Sequence, residues 1–194
     1  MSRFEDFKIE FGVLCDYVGN DDVVIIPDGV REIAGWGFQG CFCKTVVIPA
    51  SVRKIDEYAF VECHGLRKIV VKSGNKVFFS VNGCLFNRKP RMLLKVADVS
   101  ISKFVFPEGV TSIGNSAFLG CEMIQELVVP EGVTEIGEWT FFGCSRLSRL
   151  WMPESVLSVG EDAFTGCDLL KIIGKVGSFA EKYALENGIE FEVV

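Results

Sequence analysis

A short motif recurs five times along the chain, and its spacing constrains the fold more than any other feature. Each copy begins at a proline and continues with aliphatic residues three and six positions later, a phenylalanine eleven positions later and a cysteine fourteen positions later. Adjoining copies lie 22 or 23 residues apart, and the five prolines are Pro27, Pro49, Pro107, Pro130 and Pro153. A fixed period of this length is typical of a solenoid, in which each coil buries its apolar side against its neighbours.

The residues before each proline alternate in a way that predicts a β-strand. The positions one and three before the proline are apolar, so alternation directs both side chains into the core. The pairs are Val24 and Ile26, Val46 and Ile48, Phe104 and Phe106, Leu127 and Val129, and Leu150 and Met152, with Ile69 and Val71 continuing the series. Stacked coils would join these strands in a parallel sheet. We expect a second short strand or turn at the two aliphatic positions after each proline, and one helical or 3₁₀ turn around the inward-pointing phenylalanine.

Breaks in the repeat predict the organisation of the chain. We predict one solenoid domain over residues 1–194, because the length suits a single domain. Its parts would be an N-terminal β cap (1–23), two repeats (24–71), an inserted β-hairpin element (72–103), three repeats (104–173) and a C-terminal helix–strand cap (174–194). Asn82-Gly83 is a hairpin turn signal, Ser178 suits a helix N-cap, and Asn187-Gly188 suits a helix end.

Charge and hydropathy exclude several classes of partner. The net charge is −6 and the isoelectric point is near 5.0, which argues against nucleic acid and against anionic membrane surfaces. We predict no membrane insertion, because no apolar stretch has the ~20 residues that a spanning helix needs. The N-terminal residues show no apolar signal-peptide core, and free thiols suit a reducing compartment, so a cytoplasmic location is favoured.

The motif is similar to a known family. The segments 129–137 (VPEGVTEIG) and 115–121 (NSAFLGC) resemble the BspA-like leucine-rich repeats, whose pattern is LxxLxLPxxVxxIgxxAFxxC. The resemblance covers roughly residues 24–73 and 104–174. It implies an α/β, β-rich, right-handed leucine-rich-repeat solenoid with a parallel sheet along one side. It also implies a bacterial or protist interaction module, since relatives include adhesins that bind host matrix proteins. Secretion or cell-surface display is the corresponding alternative location.

Cysteine is the first residue type with possible chemistry. Five of the eight cysteines occupy one repeat position, which predicts a ladder of buried thiols at Cys41, Cys63, Cys121, Cys144 and Cys167. Cys41, Cys43, Cys63 and His64 offer four ligands of the kinds that zinc prefers. Their spacing matches no zinc motif, and Cys43 and His64 are not at repeat-core positions. We therefore predict no metal site and no cofactor.

Catalysis is not indicated by the sequence. His64 is the only histidine, so any mechanism that uses a histidine base would have to use it. It lies in a turn between coils, without an acid or nucleophile placed beside it by the repeat. No phosphate-binding glycine motif occurs. We predict that the protein is not an enzyme.

The outward-facing side of the strands is the predicted partner-binding surface. The residue two before each proline points away from the core and is apolar in every copy; the series is Ile25, Val47, Val70, Val105, Val128 and Trp151. Contiguous exposed apolar surface marks interaction sites. The alternatives are that the N-terminal segment or the insert covers this row, or that strand propensity alone explains it. We expect a protein partner, or a second copy of the chain, to bind there.

A second series of surface residues offers a different function. Trp36, Tyr58 and Trp139 recur nine positions after the proline, close to acidic residues. Stacked aromatic rings beside carboxylates could bind a glycan, and the alternative is that the rings pack coil against coil. Glycan binding is the second functional hypothesis.

Overall fold

The computed structural model describes residues 3–194 and consists mainly of short strands. A 3₁₀ turn, Phe4–Asp6, precedes the strands, and one α-helix, α1 (Phe179–Glu186), lies near the C-terminus. The strands are β1 (Phe7–Glu10), β2 (Val13–Tyr17), β3 (Val23–Ile25), β4 (Glu32–Ile33), β5 (Thr45–Ile48), β6 (Lys54–Ile55), β7 (Lys68–Val71), β8 (Phe78–Val81), β9 (Cys84–Asn87), β10 (Met92–Lys95), β11 (Ser112–Ile113), β12 (Glu126–Val128), β13 (Glu135–Ile136), β14 (Arg149–Trp151), β15 (Ser158–Val159), β16 (Lys171–Gly174) and β17 (Glu190–Val193).

The chain divides into two compact units. The first runs to Lys89 and includes Leu94–Asp98, and the second comprises Pro90–Leu93 and Val99–Val194. Within the residues that the structure describes, no helix is both long and apolar enough to cross a bilayer.

The first unit contains two parallel ladders, each introduced or followed by a hairpin. The strands before the prolines pair in the order β3-β5-β7, with Val24, Val46 and Ile69 in register and fully buried. The two-residue strands after the prolines extend the hairpin β1-β2 through β4 and β6. Both hairpins, β1-β2 and β8-β9, turn through two residues with positive φ, which is the geometry that suits the twist of antiparallel strands.

The second unit repeats this arrangement and closes it with the C-terminal cap. Met92 and Leu93 of β10 pair with β11, which continues through β13 to β15, while β12, β14, β16 and β17 form the other ladder. The hydroxyl of Ser178 accepts a hydrogen bond from the Glu181 amide and caps α1, and β17 then pairs in parallel with β16. The predicted solenoid with parallel sheets, an inserted hairpin and a helix–strand cap is confirmed.

The phenylalanines of the repeat form the spine of each core. In the second unit the rings of Phe118, Phe141 and Phe164 stack, with centroids 5.1 and 5.2 Å apart. In the first unit Phe38 and Phe60 stack at 5.3 Å. All five rings are buried, as the sequence predicts.

The helical turn expected around each phenylalanine is not present. These segments are successive turns, and Trp36, Ser116, Trp139 and Asp162 adopt positive φ, which interrupts a right-handed helix. The hydrogen bonds of these segments alternate: the Trp139 amide donates to the Glu161 carbonyl of the next coil at 3.0 Å, whereas the Phe142 amide donates within the segment to the Trp139 carbonyl at 3.1 Å. A continuous helical turn does not form because alternate amides, such as those of Trp139 and Phe141, bond to the next coil.

The strand expected at residues 104–106 is also absent. Phe104, Val105 and Phe106 have no regular secondary structure, and both phenylalanines are only half-buried. The two rings pack edge to face at 4.8 Å, and Phe104 packs in the same way against Phe118 at 5.0 Å. The apolar alternation thus holds the side chains near the core without a paired strand.

Candidate functional site

The outward face of the second unit's sheet carries one apolar and one charged row. Pairing aligns Val128, Trp151 and Ile173 across β12, β14 and β16, and the row ends at Glu192 of β17. The charged row runs in parallel two residues earlier on each strand, at Glu126, Arg149, Lys171 and Glu190. The two rows are separated on each strand by a buried residue, so both lie on the opposite face from it. Ile173 is nevertheless only 2% exposed, so the accessible part of the apolar row consists of Val128 and Trp151.

Trp151 is held by its charged neighbours. The Arg149 guanidinium lies over the indole, 5.1 Å from the ring centroid, and its Nη2 is 3.2 Å from Glu192 Oε1. The Lys171 ammonium contacts carboxylates of both Glu190 and Glu192. The indole is therefore half-buried and fixed on the sheet face, with charged groups along its side.

A groove opens beside Trp151 along β12. It has a volume of about 730 Å³ and is lined mainly by apolar side chains and by residues 102–106. Val105 is 83% exposed and Val128 is 62% exposed on its walls. Sequence reasoning assigned Phe104 and Phe106 to the core, yet both line this groove, because no strand forms at 104–106.

Because residues 104–106 form no strand, β12 lies at the edge of its ladder. In the part of the chain that the structure describes, β12 pairs with β14 on one side, and the repeat would place residues 104–106 on the other. An edge strand presents backbone N–H and C=O groups to a further strand. The groove therefore combines apolar walls with a hydrogen-bonding edge.

The predicted row in the first unit is more covered. Ile25, Val47 and Val70 stand in register across β3, β5 and β7, as the repeat predicts, and all three are half-buried. The hairpin β8-β9 lies next to β7, where the Ile69 amide donates to the Gly83 carbonyl at 2.8 Å. This hairpin occupies part of the surface beside the row.

The aromatic residues proposed for glycan binding make contacts between coils, and Trp36 and Trp139 also remain 47% and 39% exposed. Trp36 and Tyr58 stack nearly parallel, with centroids 5.8 Å apart, so each ring covers a face of the other. In the second unit the Trp139 indole N–H donates to Asp162 Oδ2 at 3.4 Å. Ser116, at the equivalent position, is buried, so this series is not a uniform surface row. The rings thus contribute to coil packing, and glycan binding by their exposed parts stays a prediction.

The cysteines fall into two groups with different surroundings. In the second unit Cys121, Cys144 and Cys167 are buried, and the last two thiols donate to the carbonyls of Phe118 and Phe141. Burial raises the pKa of Cys144, and it raises the pKa of Cys167 to about 12. These are inert packing thiols, as the sequence predicts.

In the first unit the sulfur atoms converge. Cys41, Cys43 and Cys63 hold their sulfurs within 4.8 Å of one another, and the Cys43 and Cys63 sulfurs are 4.0 Å apart. Cys43 is buried and Cys63 is half-buried, so two statements from the sequence were wrong: Cys43 does occupy a core position, and the ladder is not fully buried at Cys63. His64 is exposed, and its nitrogens do not belong to this group among the residues described.

Hydrogen bonds within this cluster shift the pKa values of Cys41 and Cys43 in opposite directions. The side chains of Cys43 and Cys63 donate to the Cys41 sulfur, as does the Cys43 amide at 3.3 Å, which lowers the pKa of Cys41. The hydrogen bond to Cys41 raises the pKa of Cys43, and burial raises it further.

Comparison with known proteins identifies the repeat. The family described as "BspA type Leucine rich repeat region" matches in six copies over residues 20–87 and 97–187, which is most of the chain. No curated protein matches the chain.

Solved structures show the same fold. A leucine-rich repeat protein from Eubacterium ventriosum is 26% identical with a TM-score of 0.72, over 81% of this chain and 42% of that one. One from Bacteroides ovatus is 26% identical with a TM-score of 0.55, over 89% of this chain and 42% of that one. The pneumococcal vaccine antigen PcpA is 13% identical with a TM-score of 0.53, over 89% of this chain and 67% of that one, which is a likeness of fold alone. The chain spans less than half the length of the first two.

Proposed function

The chain belongs to the BspA-type leucine-rich repeat family, and from that premise we propose that it binds an extended segment of a partner protein in the groove beside β12. Repeat solenoids present extended surfaces that serve in protein recognition, and the fold typically serves non-enzymatic roles. The single observation that carries the proposal is the edge of β12, which has no partner strand among residues 3–194 and opens into an apolar groove.

The backbone of β12 supports an added strand. In β-augmentation, an extended peptide pairs with an exposed sheet edge, so main-chain hydrogen bonds supply affinity and side-chain pockets supply specificity. By the repeat, residues 104–106 belong beside β12, but they form no strand there. A partner strand would therefore pair with the edge of β12 and lie against these residues, which line the same groove.

The side chains around the edge have the anatomy of a protein interface. Val105, Val128 and the face of Trp151 form an apolar centre. Lys103 and Glu126 line the same groove and give it a polar rim. Tryptophan is enriched among residues that dominate binding energy, and an apolar centre with a polar rim is the common arrangement of interfaces. The groove volume of about 730 Å³ suits a few side chains of an extended peptide.

The proposal is tested with a displayed library of random unstructured peptides, selected on the full chain. We expect selected peptides to lose at least tenfold in affinity to the Val128→Asp variant, because a carboxylate would enter the apolar wall. Trp151→Ala should lose roughly 30-fold, in the range of a hot-spot residue. Hydrogen–deuterium exchange should show slower exchange of the β12 amides when peptide binds.

Leu157→Asp is the matched control. Leu157 lies in the same unit, is 68% exposed and does not line the groove, so this variant should bind like the parent. Peptides that bind Val128→Asp as well as the parent, or that protect a different surface, would refute the proposal. A glycan array run on the parent and on Trp36→Ala tests the alternative. Glycan binding that is lost in Trp36→Ala would support glycan recognition by Trp36, Tyr58 and Trp139 instead.

A further inference from the structure

We propose that the thiols of Cys41, Cys43 and Cys63 bind one thiophilic d¹⁰ cation, with zinc as its representative. Soft thiolate ligands select such ions, and three protein ligands leave a fourth position for solvent. The site would be separate from the groove beside β12, because all three cysteines belong to the first unit.

The distances fit a metal-centred cluster. A zinc–sulfur bond of about 2.3 Å and tetrahedral angles separate two sulfur ligands by about 3.8 Å. The Cys43 and Cys63 sulfurs are 4.0 Å apart, and all three lie within 4.8 Å of one another. Coordination would therefore require each sulfur to move by no more than about 1 Å, which rotation of the thiols supplies.

The repeat shows that the cluster is not a by-product of stacking. Every other coil has a buried aliphatic residue between its cysteine and the next strand, and these residues are Leu66, Ile124, Leu147 and Leu170. In the first coil Cys43 takes that position, three residues before Val46, just as Leu66 lies three residues before Ile69. The segment from Cys41 to Val46 is one residue shorter than that from Cys63 to Ile69, and its buried residue is a cysteine instead of a leucine. The shorter segment leaves only one residue between Cys41 and Cys43.

The second unit supplies an internal comparison. Its three stacked cysteines have the same repeat position, but each coil contributes one thiol, and those of Cys144 and Cys167 donate to backbone carbonyls. Among the described residues, the ligand atoms that converge in a group of three or more are those of Cys41, Cys43 and Cys63. In the first unit, Cys43 adds a second thiol to one coil, and three sulfur atoms therefore lie close together.

Charge and access also suit a cation. Three thiolates with a divalent ion carry a net charge of −1, which is smaller in magnitude than the charge of the three thiolates alone. Cys63 is half-buried, which gives an ion a route from solvent. A bound ion would tie the coil of Cys41 and Cys43 to the next coil through Cys63 and would stabilise the folded unit, since metal binding to a preformed site adds to folding stability.

The test uses the full chain, kept reduced, stripped with a chelator and titrated with Zn²⁺ against a chromophoric competitor. We expect one equivalent to bind, and Co²⁺ to give the near-ultraviolet charge-transfer absorption of thiolate ligands. The matched variants are Cys43→Leu, which restores the residue type of the other coils, and Cys144→Ala, which alters the other stack. Cys43→Leu should weaken binding by more than about tenfold, and Cys144→Ala should bind like the parent.

Three results would overturn the site: no stoichiometric Zn²⁺, unchanged binding in Cys43→Leu, or a Co²⁺ spectrum without thiolate absorption. If Cys43→Leu does not fold, Cys63→Ser takes its place, because that side chain is half-buried and tolerates a hydroxyl. Added Zn²⁺ should also raise the melting temperature of the parent and of Cys144→Ala, but not that of the cluster variants.

Discussion

Phe141→Ala tests the phenylalanine spine of the second unit. Phe141 is 1% exposed and stacks on Phe118 at 5.1 Å and on Phe164 at 5.2 Å. Truncation of a buried phenylalanine costs about 3–5 kcal/mol, and the loss of two aromatic contacts puts this site toward the upper end. For a chain of this length, each kcal/mol lowers the melting temperature by about 2–4 °C, so we expect a decrease of roughly 10–20 °C.

The neighbouring residue supplies the control for that experiment. Phe142 is 42% exposed, so Phe142→Ala removes a ring of equal size from the surface and should change the melting temperature little. Melting is followed by circular dichroism, and hydrogen exchange maps the damage, which should spread first to the adjoining coils because each coil contacts its neighbours. If Phe141→Ala melts within a few degrees of Phe142→Ala, the stacked phenylalanine rings do not stabilise the second unit.

Three further predictions concern the backbone and the thiols. Glu62 has a φ of 57° where other coils have glycine, and its Oε2 accepts a hydrogen bond from Gln39 Nε2 at 2.8 Å. In a Gln39→Ala background, which removes that bond, Glu62→Gly should stabilise the fold by about 0.5 kcal/mol in chemical denaturation, because the relief of left-handed strain exceeds the gain in unfolded-state entropy; a loss of stability would contradict this. A Cβ at Gly160 would lie 2.4 Å from the Glu138 nitrogen, so Gly160→Ala should cost about 3 kcal/mol, and a melting curve like the parent's would show that the coils can separate. Cys144 and Cys167 should react with a thiol reagent at pH 8 far more slowly in the native protein than in denaturant, because burial raises their pKa and shields them; equal rates would refute the buried stack.

The repeat predicts the fold well because it reports burial directly. A phenylalanine or aliphatic residue that returns at the same phase must face the same core, and the buried rings of Phe38 and Phe118 follow from that alone. The hairpin at Asn82-Gly83 and the helix cap at Ser178 were predictable because turn and cap residues act locally.

The two errors about secondary structure share one physical origin, which is that side-chain patterns do not specify hydrogen-bond partners. Phe104-Val105-Phe106 alternates like the other strands, yet a strand also needs a paired neighbour, and none forms there. One helical turn was expected around each phenylalanine, whereas alternate amides there, such as that of Trp139, bond to the next coil. The exposure of the outward row was likewise unpredictable, since it depends on what lies beside it.

The two proposed sites occupy the positions where the repeat departs from itself. Identical coils satisfy one another's backbone and apolar surfaces, so a regular copy leaves little unpaired for a ligand. At residues 104–106 the copy keeps its apolar pattern but loses its strand, which leaves the edge of β12 open. At Cys43 the coil loses one residue and exchanges an aliphatic side chain for a thiol. Departures from a consistent pattern are expected at functional sites, where proteins accept a cost in stability. Substitutions at these two places should therefore change ligand affinity more than they change the free energy of unfolding.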